Sequence, residues 1–503
     1  MDQTHIALTR VVYLFTHPFL LLLVLFIFII LKLFSSSSSK RHPLPPGPKA
    51  WPIVGNLLHI GKMPHISMTQ YAKAHGPLIS LRLGTRVLIV GSSPMAAAEI
   101  LKTNDRLLSA RCVPKASPYQ SQVLERIALV WAPQCTDGWK SLRALFRTEL
   151  FSAKALESQA SLREKKVAQM VKFLETRQGK VVNIGEVVFT TVFNTLSNLF
   201  FSKDFIGLED KCAASGLKNL IWKIMELAIT PNIADFYPIL AGLDPQGLRR
   251  KSLKCAQEMV ALWEIYVKER RQKHGQDTPR NDFLDVFLAN GFHGDQINML
   301  ALELFSAGTD TTTTTIEWAV AELIKNKQVM SKVREELDRE INKDWIHESQ
   351  VSQLPYLNAC IKETLRLHPP VPFLIPRRAV ENCEIMNYTI PKDSQILVNV
   401  WAIGRDPSAW EDPLLFKPER FLGSSLDLKG RDYEFLPFGS GRRICPGLPM
   451  ATRQLPLILA SLIHCFHWSL ENGEDPVELN MTEKFGITLQ KEHPLLIVPK
   501  RKL

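Results

Sequence analysis

The chain has 503 residues, 46% of them hydrophobic, 22% charged and 9% aromatic. That is several domains' worth of apolar material, which excludes a disordered or collagen-like chain. The net charge of +11 leaves membrane, nucleic acid and acidic partner all open, and eight cysteines over this length exclude a disulfide scaffold.

The first predicted element is a membrane span. Val11 to Leu31 carries no acid or base and is long enough to cross a ~30 Å hydrocarbon core. No small-residue cleavage site follows it, which argues against a signal peptide. Lys32, Lys40 and Arg41 flank its C-terminal side, whereas Arg10 stands against Asp2 on the other. The basic flank stays cytoplasmic, so the bulk of the chain is expected in the cytosol. Ser35 to Ser39 and the prolines at 43, 45, 46 and 48 read as a flexible, then stiff, spacer. The expected organisation is an anchor over 1–34, a hinge over 35–50 and one cytosolic body over 51–503.

Within the body, helical patterns cover 69–75, 92–103, 138–150, 155–177, 181–201, 248–274, 296–325, 328–341 and 356–367. Residues 78–91 read as two strands around Gly84-Thr85, and strand-like pieces return at 384–390, 395–398 and within 466–499. The predicted fold class is mainly α with small sheets, α+β.

The strongest chemical signal is Phe438-Gly439-Ser440-Gly441-Arg442-Arg443-Ile444-Cys445-Pro446-Gly447. A lone cysteine sits in a glycine-dense loop behind two arginines, and an apolar helical run, Leu448 to Cys465, follows. Glycines permit positive φ and close backbone approach, while arginines and a helix N-terminus favour the thiolate, a metal ligand or nucleophile. Zinc and iron–sulfur sites need paired or clustered cysteines, and none of the eight stands in a C-x-x-C pair. The partial dinucleotide fingerprint fails at Ile444. A hydrolase thiol stays open on this loop alone. So do two readings of Ala307-Gly308-Thr309-Asp310-Thr311-Thr312: threonine hydroxyls bonded back along a buried helix, or a helix interrupted for function.

The ten-residue loop resembles the haem-binding F-x-x-G-x-R-x-C-x-G signature of the cytochrome P450 family. Three further segments agree in type and order: Glu363-Thr364-Leu365-Arg366 with E-x-x-R, Phe416 to Phe421 with the family's PERF segment, and Trp139 to Arg143 with W-x-x-x-R. The resemblance implies haem b (iron protoporphyrin IX) held by Cys445, with Phe438 and Gly447 in its loop. Trp139, Arg143, Arg377 and Arg443 are implied contacts of the haem propionates; Arg378 beside Arg377 leaves that register open. Glu363, Arg366 and Arg420 are implied to form a structural charge cluster. In the Ala307 to Thr312 segment, the resemblance implies a local opening of the helix, with Thr311 contacting O2 and Asp310 helping proton delivery.

The implied reaction is monooxygenation with O2 and electrons from NADPH through a membrane-bound reductase, since nothing in the chain binds a flavin or NADPH. Arg143, Lys140, Arg147 and Arg442 are candidate docking residues for that reductase. The implied location is the endoplasmic reticulum membrane, single-pass, with no nucleic-acid partner. Pocket residues implied by position are Phe305, Ala307, Val371, Phe373, Leu374, Phe485 and Ile487, all suited to a lipophilic substrate. Asp235 and Glu303 are the acids that could meet an amine. The stretch from His368 to Pro449 resembles plant specialised-metabolism members, foremost an alkaloid group (benzylisoquinoline or tropane) that includes both hydroxylation and oxidative rearrangement. Next is a geraniol-type terpenoid hydroxylase group. The reading of another class is a non-catalytic haem-binding protein.

Overall fold

The computed structural model describes residues 43–119, 121–240, 242–273, 282–341, 345–473 and 475–502, together with Leu22 and Phe26. The chain divides into Met1–Pro43 and Leu44–Leu503. In the first unit Leu22 and Phe26 are helical and exposed; the rest of the predicted Val11–Leu31 span lies outside the described residues.

The second unit is built on helices whose ends are written in the sequence. Helix α1 (Pro64–His75) begins on proline, where the missing N–H costs nothing. Helix α2 (Asp137–Glu149) is capped by Thr136, whose hydroxyl accepts the Trp139 N–H at 3.3 Å. Helices α3 (Ala160–Glu175) and α4 (Ile184–Phe201) follow, the latter capped by Asn183. Among the described residues α4 is the one helix long and apolar enough to cross a membrane, yet 89% of it is buried inside the unit, which makes it a core helix.

Helix α5 (Lys211–Ile229) lies in a stretch to which the sequence patterns assign no element. The central helix α6 (Gly294–Lys325) opens with a capping box between His293 and Gln296. Helices α7 (Lys327–Glu340), α8 (Pro355–Leu367) and α9 (Leu448–Cys465) complete the frame around it. Gly308 lets α6 approach α4: a Cβ there would come within 2.8 Å of Leu196 Cδ1.

The five-stranded sheet has the order β1 (Leu78–Leu83), β2 (Arg86–Gly91), β8 (Gln395–Val398), β5 (Arg377–Arg378), β3 (Ala110–Arg111). The predicted turn at Gly84-Thr85 closes β1 on β2 with Leu83 opposite Arg86. A second sheet pairs β4 (Val182–Asn183), β12 (Leu496–Arg501) and β9 (Phe466–Leu470). Two small ladders remain, β6 (Cys383–Ile385) with β7 (Tyr388–Ile390) and β10 (Glu483–Lys484) with β11 (Gln490–Lys491).

Three predicted elements are corrected. The 155–177 pattern is two helices meeting at Gln159. The 248–274 pattern breaks at Leu262-Trp263, and the turn seats the fully buried Trp263 indole against Phe201 and Phe305, at 6.1 and 5.5 Å between ring centroids. The implied opening of α6 is absent, because the helix runs unbroken from Gly294 to Lys325. Its threonines bond back to carbonyls four residues earlier, Thr309 to Phe305 at 2.6 Å, Thr311 to Ala307 at 2.7 Å and Thr315 to Thr311 at 2.8 Å.

Candidate active site

A cavity with about 1620 Å³ of empty volume, its mouth included, separates α6 from the cysteine loop. Along α6 its wall is the stripe Glu303, Ala307, Thr311, Thr315, spaced four apart on one helix face. Opposite stand Phe438, Cys445 and Gly447, and the sides include Val371 and Leu374.

The loop is shaped by its backbone. Gly439 and Gly441 adopt φ of 69° and 71°, and a Cβ on Gly441 would meet the Leu101 carbonyl at 2.4 Å. The Cys445 N–H donates to the Phe438 carbonyl at 3.0 Å, which closes the turn. Gly447 departs from the expected positive φ, at −80°, and serves as the cap of α9. Burial pushes the Cys445 thiol up, while the N–H groups of Gly447 and Leu448 and the Arg143 charge favour its anion. Sulfur therefore sits at the N-terminus of α9, as the sequence pattern predicts.

Four arginines edge the cavity: Arg111, Arg143, Arg377 and Arg443. Arg377 pairs with Asp105 at 3.4 Å, and burial takes its pKa down to about 10. Arg378 instead pairs with Asp393 at 2.7 Å, so of the two it is Arg377 that lines the cavity. Arg443 donates to the carbonyls of Ser109, Leu129 and Ala132 at 3.0, 3.3 and 2.7 Å and lies 4.4 Å over the Trp139 ring. Trp139 itself stands behind Arg443, outside the cavity wall, and donates its indole N–H to the Leu129 carbonyl at 2.8 Å. Arg143 donates to the Ile444 carbonyl.

Arg111, absent from the sequence-based set, is held by the carbonyls of Val130 at 3.1 Å and Ile375 at 2.8 Å. Burial, then Arg443 and Arg377, lower its pKa well below the usual value. No motif flags it, and it is one of three arginines within residues 105–130, so the sequence alone does not single it out.

Other predicted residues separate. Glu363, Arg366 and Arg420 form the expected cluster away from the cavity: Arg366 grips Glu363 at 2.7 and 2.8 Å, and Arg420 adds a contact at 3.0 Å. Asp310 adjoins Thr311 in sequence but is buried outside the cavity wall, accepting from Thr488 and, at 2.6 Å, from Gln490. Burial pushes its carboxyl up. Of the pocket residues, Ala307, Val371 and Leu374 line the cavity.

The other four do not. Phe305 lies off the lining stripe of α6 and packs on Phe193 and Trp263 at 4.9 and 5.5 Å. Phe373 belongs to a separate apolar cluster, Phe485 stacks on His65 at 5.5 Å, and Ile487 is buried. Asp235 accepts from the Lys115 N–H and faces Arg86 at 3.7 Å, away from the cavity. Two docking candidates are paired locally, Lys140 with Asp137 at 2.8 Å and Arg442 with Asp105 at 2.6 Å.

These residues fit an anionic, thiolate-ligated cofactor. Among the described residues, Arg111, Arg143 and Arg443 form no ion pair with a carboxylate and rest on neutral carbonyls instead. Buried cations in mutual repulsion need carboxylates from elsewhere.

The Cytochrome P450 family model matches residues 45–498. A Coptis japonica protein named "Probable (S)-N-methylcoclaurine 3'-hydroxylase isozyme 2" is 51% identical over 93% of this chain and 95% of its own. Corytuberine synthase of Coptis japonica is 47% identical over 91% and 94%. Geraniol 8-hydroxylase of Catharanthus roseus is 44% identical over 93% and 96%. Likeness of this extent makes the chain a member of the cytochrome P450 family, a haem-thiolate monooxygenase.

Proposed function

We propose that the protein oxidises a lipophilic benzylisoquinoline-type alkaloid with O2, using electrons passed from NADPH by cytochrome P450 reductase at the endoplasmic reticulum membrane. The observation that carries this reading is a largely apolar chamber set against the Cys445 thiol, in a chain half identical to an N-methylcoclaurine hydroxylase. The chain contributes residues 1–34 as anchor and 35–50 as hinge, with the reaction confined to the body that follows.

Cys445 holds the iron of haem b, and the N–H groups of Gly447 and Leu448 keep its sulfur anionic. Phe438 covers the sulfur's side of the loop. Arg143, Arg377 and Arg443, joined by Arg111, bind the two carboxylates, and Trp139 steadies Arg443 from behind. When bound, the haem supplies O2 activation, for which a thiolate ligand favours O–O cleavage.

The protein's own residues then orient and protonate. Ala307, Val371 and Leu374 exclude water and hold the substrate ring. The Thr311 hydroxyl, on the wall and bonded to the Ala307 carbonyl, is the proton donor nearest the reacting centre. Asp310 stores a proton one residue away, reaching Thr311 on release from Thr488 and Gln490.

Co-expression with a reductase in microsomes tests this. The expected result is a thiolate-type Soret band in the reduced carbon monoxide spectrum, lost in Cys445→Ala, and NADPH-dependent oxidation of a benzylisoquinoline in preference to tropane alkaloids and geraniol. The likeness to geraniol 8-hydroxylase supports terpenoid hydroxylation as the second reading. Product from geraniol alone would replace the first, and a rearranged product without added oxygen would replace hydroxylation. Haem binding without turnover of any substrate would support the non-catalytic alternative.

A further inference from the structure

Among the described residues Glu303 is the only carboxylate in the cavity wall. It lies on the same stripe of α6 as Ala307 and Thr311, about 6 and 12 Å from them along the axis at 1.5 Å per residue. Its placement is built. Glu303 Oε2 accepts the N–H groups of Leu129 at 2.7 Å and Val130 at 3.0 Å, and Oε1 accepts that of Trp131 at 2.9 Å. A carboxylate offers about four acceptor positions. Three are filled by consecutive backbone N–H groups, which leaves one on Oε1.

The cavity is electrically graded. Arginines edge it, and Glu303, whose charge favours the Arg111 and Arg443 cations through the shared 129–132 segment, is the one negative side chain among the described wall residues. Burial pushes the Glu303 carboxyl up, and the backbone N–H groups of Trp131, Val130 and Leu129, then the Arg443 charge, pull it back. An ammonium partner would favour the anion further. A cation entering an otherwise apolar chamber needs such a counter-charge.

We infer that Glu303 is the binding residue for the protonated amine of the substrate, which forms a salt bridge at Oε1. The inference rests on the alkaloid reading above and adds a geometric rule: the oxidised carbon lies one to two helical turns from the nitrogen, opposite Ala307 and Thr311.

The same three hydrogen bonds also fix residues 129–131 as cavity wall. A purely mechanical clamp, once lost, weakens every ligand alike, whereas a charge anchor weakens only cations. Equilibrium dialysis of the full-length, haem-loaded enzyme in microsomes separates the two. The probes are a benzylated N-methyltetrahydroisoquinoline and its carbocyclic isostere, in which CH replaces nitrogen.

The wild type should hold the amine at least about tenfold more tightly than the isostere, as buried charge pairing requires. Glu303→Gln should erase that preference and leave the isostere within about threefold, and Glu303→Asp should restore part of it. Equal affinities in the wild type, or equal losses for both ligands in Glu303→Gln, overturn the inference. If Glu303→Gln does not fold, a pH series on the wild type decides. Amine affinity should fall above the amine's own pKa while that of the isostere stays level, and a level amine profile overturns the anchor. Intact amine preference without oxidation of the amine, once reductase is supplied, overturns the alkaloid reading and leaves the anchor standing.

Discussion

Two groups of arginines in this protein meet opposite surroundings. Arg366 and Arg420 share Glu363, and Arg366 spends its remaining N–H groups on the carbonyls of Gly404, Pro413 and Leu415. That cluster is closed: charge is matched, donors are satisfied, and it lies outside the wall of the cavity at Cys445. Arg111, Arg143 and Arg443 form no ion pair among the described residues and rest on carbonyls and the Trp139 ring beside an open chamber. The first arrangement completes a fold and the second waits for a ligand. A residue's type and burial do not separate these roles; the presence or absence of a partner charge does.

The contrast can be broken by deletion. Glu363→Ala should cost about 3–5 kcal/mol, because two arginines are left uncompensated. Thermal melting and haem content would register it, and a stable, haem-replete variant would show that the cluster is not closed by Glu363. On the cavity side, Thr311→Ala should leave the melting temperature near that of the wild type. Its product per NADPH should fall by roughly 10²-fold, the lower end of what a positioned proton donor contributes, with more hydrogen peroxide. Unchanged coupling would remove Thr311 from proton delivery.

Arg443→Ala should weaken cofactor retention by about 1.5–3 kcal/mol, the range of a hydrogen bond to a charged group. Haem transfer to apomyoglobin measures this, and the same substitution should disturb global stability far less than Glu363→Ala.

The smallest expected effect concerns Glu483. Burial alone would raise its carboxyl, but hydrogen bonds to His368 and His65 and the Arg405 charge hold it well below the usual range. A depressed carboxyl stabilises the fold above the unfolded value near 4.3, and that stabilisation is lost as pH falls through the folded value. Glu483→Gln should therefore lower stability by about 1–2 kcal/mol at pH 7. Its gap to the wild type should begin to narrow below about pH 4 and keep narrowing as pH falls toward the folded value; a gap that does not change with acid would assign the effect to packing.

The same contrast explains what could be read before folding. The Glu363–Arg366 pair is local, three residues apart on one helix face, so its geometry is fixed by the helix period. The cysteine loop is likewise a contiguous run. Arg111 and Glu303 owe their places to the 129–131 segment, which is distant from both in sequence, and no local pattern encodes that meeting. Phe305 reads as a pocket residue from sequence because α6 is buried on nearly every side, which hides the face that meets the cavity. The threonine run supported two readings, and the hydroxyl back-bonds that keep α6 continuous separate them.

The C-terminal segment has a consequence for biosynthesis. Leu489 accepts from Trp318, Thr488 and Gln490 hold Asp310, the Leu495 N–H reaches Glu317 at 2.9 Å, and β12 ties β9 to β4. All of this is made by residues that leave the ribosome well after Cys445. About 50 residues separate Cys445 from β12, roughly 3–10 s of synthesis. The long helices can pack as they emerge, but the back of α6 is fastened only once β12 has followed. Haem capture therefore awaits this late segment, and deletion of β12 should leave a chain that never matures.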